Sequence, residues 1–196
     1  MKKNIIIGVA GIGIVVALLF GFKALLNRSE DRESITTKQK EETSLDLDLE
    51  RKYPKYPNEV VEAFAKINKY VYSNDVSEEK MKEIVEETRL LYDRELLEKN
   101  SFDLQFGAFS NELVKADSVQ RKIMNYEVDR RDQVEYKENK YGELALVNAT
   151  FYLKEENGYP SEKYTFVLRK DEEGLWKILG WDYADKLSEE PETATP

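Results

Sequence analysis

The sequence predicts an α+β domain carried by an N-terminal transmembrane helix. Near the N-terminus, an almost uninterrupted apolar run extends from Ile5 to Phe22, and the rest of the chain is polar and charged. Within that remainder, apolar residues recur with a helical period before Lys122 and with a period of two after it. Helices that precede an antiparallel meander are typical of an α+β domain.

The apolar run fits one membrane-spanning helix. As a helix it spans roughly 27 Å, close to a hydrocarbon core of about 30 Å. Lys23 can place its ammonium at the interface, so that Ala24 to Leu26 complete the span. A cleaved signal peptide is the alternative, but its core would be shorter and a small-x-small cleavage site would follow. We therefore predict an uncleaved anchor, with the cytoplasmic tip and the span in residues 1–28.

The charges around the run predict its orientation. Lys2 and Lys3 favour a cytoplasmic N-terminus, and basic residues beyond the run weaken that bias. A short N-terminal tail is typical of a signal anchor. We predict a single-pass protein of the cell membrane, with its N-terminus in the cytoplasm and its C-terminal domain extracytoplasmic.

Small residues form one stripe along the predicted span. Gly13, Ala17 and Gly21 fall at i, i+4 and i+8, a spacing that allows a second helix to approach closely. Gly and Ala are also simply common in membrane spans, and that interpretation is the stronger one. The three residues are nevertheless the candidate positions for membrane-helix packing, through self-association or with a helical partner.

The charge balance bounds the partners of the domain. Residues 1–28 hold four of the 30 basic residues and no acidic ones, so the remainder carries 26 basic against 39 acidic residues. Nucleic-acid binding needs clustered Lys and Arg to neutralise phosphates. The composition therefore argues against nucleic acid and favours a cationic partner, a cell-wall polymer or a divalent ion.

The chain contains neither histidine nor cysteine. This composition excludes His/Cys zinc sites, cysteine nucleophiles, Ser-His-Asp triads and disulfides. No Asp-x-Asp-x-Asp-Gly calcium loop is present, so we predict no metal site and no cofactor. Exported bacterial proteins often manage without disulfides, whereas small secreted eukaryotic domains usually do not.

Composition also divides the chain. Residues 29–52 are charged and poor in aromatic residues, and we predict a flexible or partly helical stalk there. Residues 53–187 form the predicted α+β domain, which opens on the stiff segment Tyr53-Pro54-Lys55-Tyr56-Pro57. Residues 188–196 are predicted to be a disordered tail.

Three long helices and about four strands are predicted within the domain. Asn58 is expected to cap the first helix and Ser77 the second, and Asp93 restarts a short helix through Leu97. A third long helix carries an apolar stripe from Phe102 to Ala116, expected to be an ordinary core face. The predicted strands are Ile123 to Asp129, Leu144 to Lys154, Lys163 to Lys170 and Leu175 to Tyr183, and Gln133 to Lys137 continues the first beyond a kink. Turns are predicted at Asn139–Gly142, Asn157-Gly158 and Asp171–Gly174.

The C-terminal hairpin carries a resemblance to a known superfamily. Tyr164 to Lys170, the turn Asp171 to Gly174 and Leu175-Trp176-Lys177-Ile178 resemble the closing hairpin of many NTF2-like domains. The resemblance covers about Tyr53 to Asp185 and implies a cone in which three helices pack on a curved antiparallel sheet. The whole arrangement also resembles a domain-of-unknown-function family of small membrane-anchored proteins from Gram-positive gut bacteria.

The resemblance implies a tethered interaction domain. An anchor, a stalk and an NTF2-like domain are similar to the inner-membrane assembly factors of type IV secretion and conjugation channels, and to accessory domains of cell-wall enzymes. We predict a non-enzymatic scaffold that binds an envelope protein or self-associates. Aromatic residues are favoured at such surfaces, and core or rim positions in the cone explain them equally well. The candidates for a partner or ligand surface are Tyr136, Tyr152, Trp181 and Tyr183.

Two other functions remain open at this point. A small-ligand cone would need a preformed cavity of several hundred Å³, lined by aromatic and a few polar groups. A cone enzyme would need an acid and a phenol in an apolar pocket. Asp182 with Tyr152 or Tyr164 is the best such pair in the sequence, although a solvated Asp182 is the stronger interpretation.

Overall fold

The computed structural model describes Leu45, residues 48–140 and residues 142–184. This part of the chain is a mixed α+β fold with four helices and a curved antiparallel sheet of five strands. The helices are α1 (Pro57–Ser73), α2 (Glu78–Arg89), α3 (Arg94–Lys99) and α4 (Phe102–Ser118). The strands are β1 (Lys122–Val128), β2 (Glu135–Asn139), β3 (Gly142–Lys154), β4 (Ser161–Lys170) and β5 (Trp176–Tyr183).

The α+β class is confirmed, and the number of elements is corrected. The fourth helix is the short segment α3, and the fifth strand is β2. Both β1 and β2 pair with β3 on the edge opposite β4, separated by a 3-10 turn at Arg131–Gln133. The expected continuation of the first strand beyond a kink is therefore present as a separate strand. All three predicted turns connect paired strands.

Three of the four helices begin after a residue whose side chain caps the helix. Ser77, Asp93 and Ser101 side chains accept hydrogen bonds from backbone N–H groups of the first turns of α2, α3 and α4. The expectation for Asn58 was wrong, because α1 already begins at Pro57. Proline suits this first position, since its missing N–H would have no helical acceptor there.

No helix in the described part of the chain combines the length and apolar character that a bilayer span needs. The predicted anchor, with Gly13, Ala17 and Gly21, lies outside the described residues, as does the tail 188–196. Residues 29–44 of the predicted stalk also lie outside the described residues.

The edge of β5 is paired with the chain between α2 and α3. Asp93 N–H donates to the carbonyl oxygen of Ile178 at 2.8 Å, and Ile178 N–H donates to the carbonyl oxygen of Leu91 at 2.8 Å. The Asp93 side chain is buried and accepts two hydrogen bonds from Arg169, at 3.0 and 2.5 Å. This bidentate pair fixes the α2–α3 connection to the sheet.

The end of the predicted stalk packs onto the domain. Leu49 is only 3% exposed and belongs to the main core, and Leu45 packs against the same cluster. Leu49 N–H donates to Glu87 Oε1 at 2.6 Å, which ties this segment to α2. Tyr53 was the expected start of the folded unit. The packing of Leu49 shows that the unit begins before that residue.

A substitution at Leu49 tests this boundary. Leu49→Ala is expected to lower the free energy of unfolding by about 2–4 kcal/mol, because it empties a buried leucine site. Glu50→Ala, at the exposed neighbouring position, is expected to change it by no more than about 0.5 kcal/mol. Urea unfolding followed by tryptophan fluorescence measures both, and equal effects would place residues 48–50 outside the folded unit.

Candidate functional site

Aromatic side chains fill the inner face of the sheet, which is the face that packs against α1. The Phe64 ring from α1 lies 5.4 Å from the Phe166 ring and 5.2 Å from the Trp181 ring. Tyr92 completes the group, with its ring 6.1 Å from that of Trp181. All four residues are buried. This part of the inner face is therefore a packed core.

A cluster of charged and phenolic side chains lies at one end of this core. Arg121 Nε donates to Glu155 Oε1 at 2.6 Å, and Arg121 Nη2 contacts the same oxygen. Arg121 Nη1 lies 3.7 Å from Glu162 Oε1. The side chains of Arg121, Glu155 and Glu162 are 7, 13 and 17% exposed, so one cation faces two carboxylates away from bulk water.

Local backbone structure brings Arg121 to this place. Helix α4 ends at Ser118, and Gln120 takes a positive φ of 52°, which reverses the chain. Arg121 N–H then donates to the carbonyl oxygen of Ala116 at 2.8 Å. The guanidinium is thereby placed at the junction of α4, the β3–β4 hairpin and the start of β1.

Two phenols extend the cluster. Tyr164 is fully buried, and its hydroxyl donates to Glu162 Oε2 at 2.6 Å. The ring centroids of Tyr164 and Tyr183 lie 4.8 Å apart. Burial, followed by the Glu162 charge, raises the pKa of Tyr164 well above its usual range, so it is a hydrogen-bond donor at all ordinary pH values.

Burial also governs the acid of the cluster. It raises the pKa of Glu162 above its ordinary value, against the lowering effects of the Tyr164 hydrogen bond and the Arg121 charge. The Glu155 charge acts in the same direction as burial. The arrangement can therefore hold a proton at Glu162 more readily than a solvated carboxylate would.

A cavity of about 30 Å³ lies between α1, α2 and α4. It accommodates about one or two water molecules, whereas drug-sized ligands need several hundred Å³. The lining is mixed, with apolar side chains beside two amides, three hydroxyls and a carboxylate. Its polar members are Asn68, Tyr72, Thr88, Tyr92, Gln105 and Glu112.

The structure does not bring the four predicted surface residues together. Tyr136 is 52% exposed and pairs with Ala145, so it lies on the inner face beyond the core. Tyr152 is 37% exposed on the opposite face, where its hydroxyl donates to Glu127 at 2.9 Å. Trp181 is 8% exposed within the aromatic core, and Tyr183 is half-buried beside Tyr164.

A β-bulge explains why Trp181 is inside. Along β5, Phe166 pairs with Trp181 and Leu168 pairs with Ile178, so the register shifts by one residue between them. The bulge places Trp181 and Ile178 on the same face, whereas strict alternation would put them on opposite faces. Sequence alternation alone could not have located it.

The candidate acid and phenols are not assembled as a catalytic pair. Asp182 pairs with Thr165 on the outer face, whereas Tyr164 lies on the inner face. Tyr152 shares the outer face with Asp182 but pairs with Ser161, which precedes Thr165 by four residues in β4. Asp182 Oδ1 accepts the N–H of Tyr183 at 2.7 Å.

A comparison with protein families identifies the chain's relatives. The family described as Domain of unknown function (DUF6715) matches residues 1–181. The chain belongs to this family. No curated protein matches it. The match confirms the expectation of a domain-of-unknown-function family, and it extends over the N-terminal apolar run as well as the folded domain.

The sequence analysis of this DUF6715 chain did not predict the buried charged residues Arg121, Glu155 and Glu162. Glu162 falls at the same parity as Tyr164, Phe166 and Leu168, so period two already places it on the apolar face of β4. A charge on an apolar face is the signal that could have found it. Arg121 and Glu155 lie in connections, where periodicity gives no orientation.

A substitution at Glu162 tests the pH dependence of the cluster. The fold raises the pKa of this acid, so its protonation contributes stability that is fully present below the unfolded pKa and lost as pH rises through the folded pKa. Glu162→Gln is neutral and can still accept from Tyr164. We expect its urea midpoint to exceed that of the parent chain at pH 7, and the difference to disappear in acid.

The control for this measurement is Glu156→Gln, at an exposed neighbouring position. It is expected to show the same pH profile as the parent chain. A Glu162→Gln midpoint below that of the parent at pH 7 would contradict the prediction, because it would mean that the ionised form is the favoured one.

Proposed function

We propose that the domain is a membrane-tethered, extracytoplasmic and non-enzymatic interaction module of the bacterial cell envelope. In this proposal the predicted helix in residues 1–28 anchors the chain, and the folded unit binds a protein partner or a second copy. The packed aromatic core on the inner face of the sheet is the observation that carries it. A module of this kind works through its surface and needs no open interior site.

Tethering is supported by sequence and by the family. The run from Ile5 to Phe22 has the length and composition of a bilayer span. The family match covers residues 1–181 and so reaches into β5, which means that the run and the domain occur together in one family unit. We propose that the domain lies outside the cytoplasm, as the charges around the run predict, and that the cell is a Gram-positive bacterium, as the resemblance implies.

The fold supports a relation to the NTF2-like superfamily. A curved antiparallel sheet wraps over α1, and the meander β3–β4–β5 closes with the expected hairpin. We propose that the domain is an NTF2-like cone whose interior is occupied by Phe64, Phe166 and Trp181. In this respect it would resemble those members of the superfamily that act as scaffolds rather than as catalysts.

The buried polar residues favour a structural role over catalysis. Arg121, Glu155 and Glu162 satisfy one another, and the cavity between α1, α2 and α4 is only about 30 Å³. A small-ligand cone is the alternative, and it would require α4 to move away from α1 and α2. An Asp182-dependent enzyme is a weaker one, since Asp182 and Tyr164 lie on opposite faces.

Proximity labelling in the native membrane tests the proposal. A labelling enzyme is fused to the C-terminus of the full chain, and the control carries the same enzyme directly after residue 44. We expect the full chain to label a set of envelope proteins that the control does not label. Identical sets would remove the interaction function, since the anchor alone would then account for the labelling.

The same strains test the orientation. External protease added to wall-free cells is expected to remove the domain while the fragment before it stays in the membrane after alkaline extraction. Protection of the domain until the cells are lysed would place it in the cytoplasm.

A further inference from the structure

The outward face of α4 exposes large apolar side chains. Leu104 is 65% exposed and Val114 is 71% exposed. Both are on one helix that packs mainly against α2. Leu104 and Val114 are ten residues apart, nearly three turns, so they lie on one face of the helix.

Small residues between them complete a seam that suits a second helix. Leu104, Gly107, Asn111 and Val114 recur at intervals of three, four and three residues, the spacing that packs one helix against another. A Cβ built on Gly107 would meet nothing within 4 Å. We call these four residues the α4 seam; it offers two apolar ends and a shallow centre.

Helix α4 buries two polar side chains beside its apolar core-facing ones. Its buried positions include Gln105 and Glu112, at 5% exposure each. Gln105 accepts from Arg89 at 2.9 Å, and Glu112 pairs with Lys115 at 2.8 Å. With these polar side chains satisfied on the inner side, Leu104 and Val114 are the large apolar residues of α4 that the described fold leaves exposed, as is typical of an interface element.

Acidic residues lie along one border of the seam. Helices α2 and α4 together carry eight acidic and four basic residues, and Lys82 links them through the Phe106 ring at 5.5 Å. Lys80, Lys82 and Lys115 are already paired with glutamates. Within the described residues, Asp103 and Asp117, along one border of the seam, form no ion pair, and neither do Glu79 and Glu86 on α2. The surface is therefore apolar along its axis and negatively charged at its border.

We propose that the α4 seam binds a basic amphipathic helix of a partner protein. The partner's apolar stripe packs between Leu104 and Val114, and its lysines or arginines face Asp103 and Asp117. This inference rests on the proposed interaction function and names the surface and the partner chemistry. Complementary charge sets the orientation of such a pair and speeds its formation.

A spin label beside the seam tests the proposal. The chain has no cysteine, so Ser110→Cys gives one attachment site on the full chain in an uncharged detergent, and Tyr159→Cys, at a 77% exposed position, gives the control. The probe is a 21-residue peptide with leucine at every a and d heptad position and lysine elsewhere. The matched peptide carries glutamate in place of lysine.

We expect the lysine peptide to immobilise the label at position 110 and not at 159, and raised salt to weaken the effect. Leu104→Ser with Val114→Ser should weaken binding at least tenfold without changing the urea midpoint. An unchanged affinity in this double variant, or equal binding of the glutamate peptide, would overturn the proposal. Immobilisation that rises with protein concentration and needs no peptide would overturn it too, because a second copy would then occupy the seam.

The proximity labelling described above separates this inference from the function. If the double variant in the full chain labels the same envelope proteins as the parent, the seam is not the surface and the interaction function stands. If the parent labels only what the residue 44 control labels, the interaction function itself falls.

Discussion

Replacing Arg121 with methionine is expected to lower the free energy of unfolding by about 3–5 kcal/mol at neutral pH. The guanidinium is the cation that faces Glu155 and Glu162, and its side chain is 7% exposed. Its removal leaves two carboxylates in a site with little water to stabilise them. Since whole domains are stable by about 5–15 kcal/mol, the variant should be close to unfolding at ordinary temperature.

The pH dependence distinguishes this mechanism from lost packing. In Arg121→Met, acid neutralises Glu162, whose pKa burial already raises, so the deficit should shrink as pH falls. Adding Glu155→Gln to the variant should recover part of the loss, since one uncompensated charge is removed. Arg130→Met is the control, because the Arg130 side chain is 73% exposed beside Asp132 and should matter little. Urea unfolding of the full chain at pH 4 and pH 7 provides the measurement, and a deficit independent of pH would contradict it.

Trp181→Ala is expected to destabilise the domain by about 3–5 kcal/mol, because it empties the centre of the aromatic core. The Trp181 ring lies within 6.1 Å of three other rings, those of Phe64, Tyr92 and Phe166. A loss of binding in this variant would therefore report unfolding, and it would say nothing about a surface.

Trp181→Phe separates the effect of side-chain volume on stability from the effect of the indole N–H. Within the described residues, the buried indole Nε1 has no hydrogen-bond partner, so phenylalanine gives up size but no bond. We expect a loss well below that of alanine. Tyr159→Ala, at a 77% exposed position, should change stability by no more than about 0.5 kcal/mol. Chemical denaturation with near-ultraviolet circular dichroism checks all three, and equal losses at 181 and 159 would refute the core assignment.

Local rules in the sequence predicted much of the fold. The change of period near Lys122 separates helices from strands, and the glycines at two turns take positive φ values, 109° at Gly142 and 82° at Gly174. Ser77 and Asp93 start helices because their side chains accept otherwise unpaired N–H groups. These features depend on neighbours within a few residues, so they can be read from the chain.

The site depends on contacts between distant parts of the chain. Arg121 and Glu155 are 34 residues apart, and each lies in a connection without a periodic pattern. The bulge in β5 reverses the side-chain parity at Trp181, so strict alternation along the strand does not predict which face this residue lies on. The stripe from Phe102 to Ala116 in α4 was expected in the core. Ala116 is buried there, but the stripe from Phe102 to Leu113 is only partly buried, because Gln105 and Glu112 take inward positions beside it.

The segment from Leu91 to Asp93 has a consequence for solubility. An uncovered outer strand presents a row of backbone donors and acceptors to which another chain can add. Here Ile178, the third residue of β5, already exchanges two such bonds with Leu91 and Asp93, and Arg169 holds that segment in place. The short connection between two helices thus protects the sheet against edge-to-edge aggregation, and its release would expose the domain to self-assembly before it unfolded.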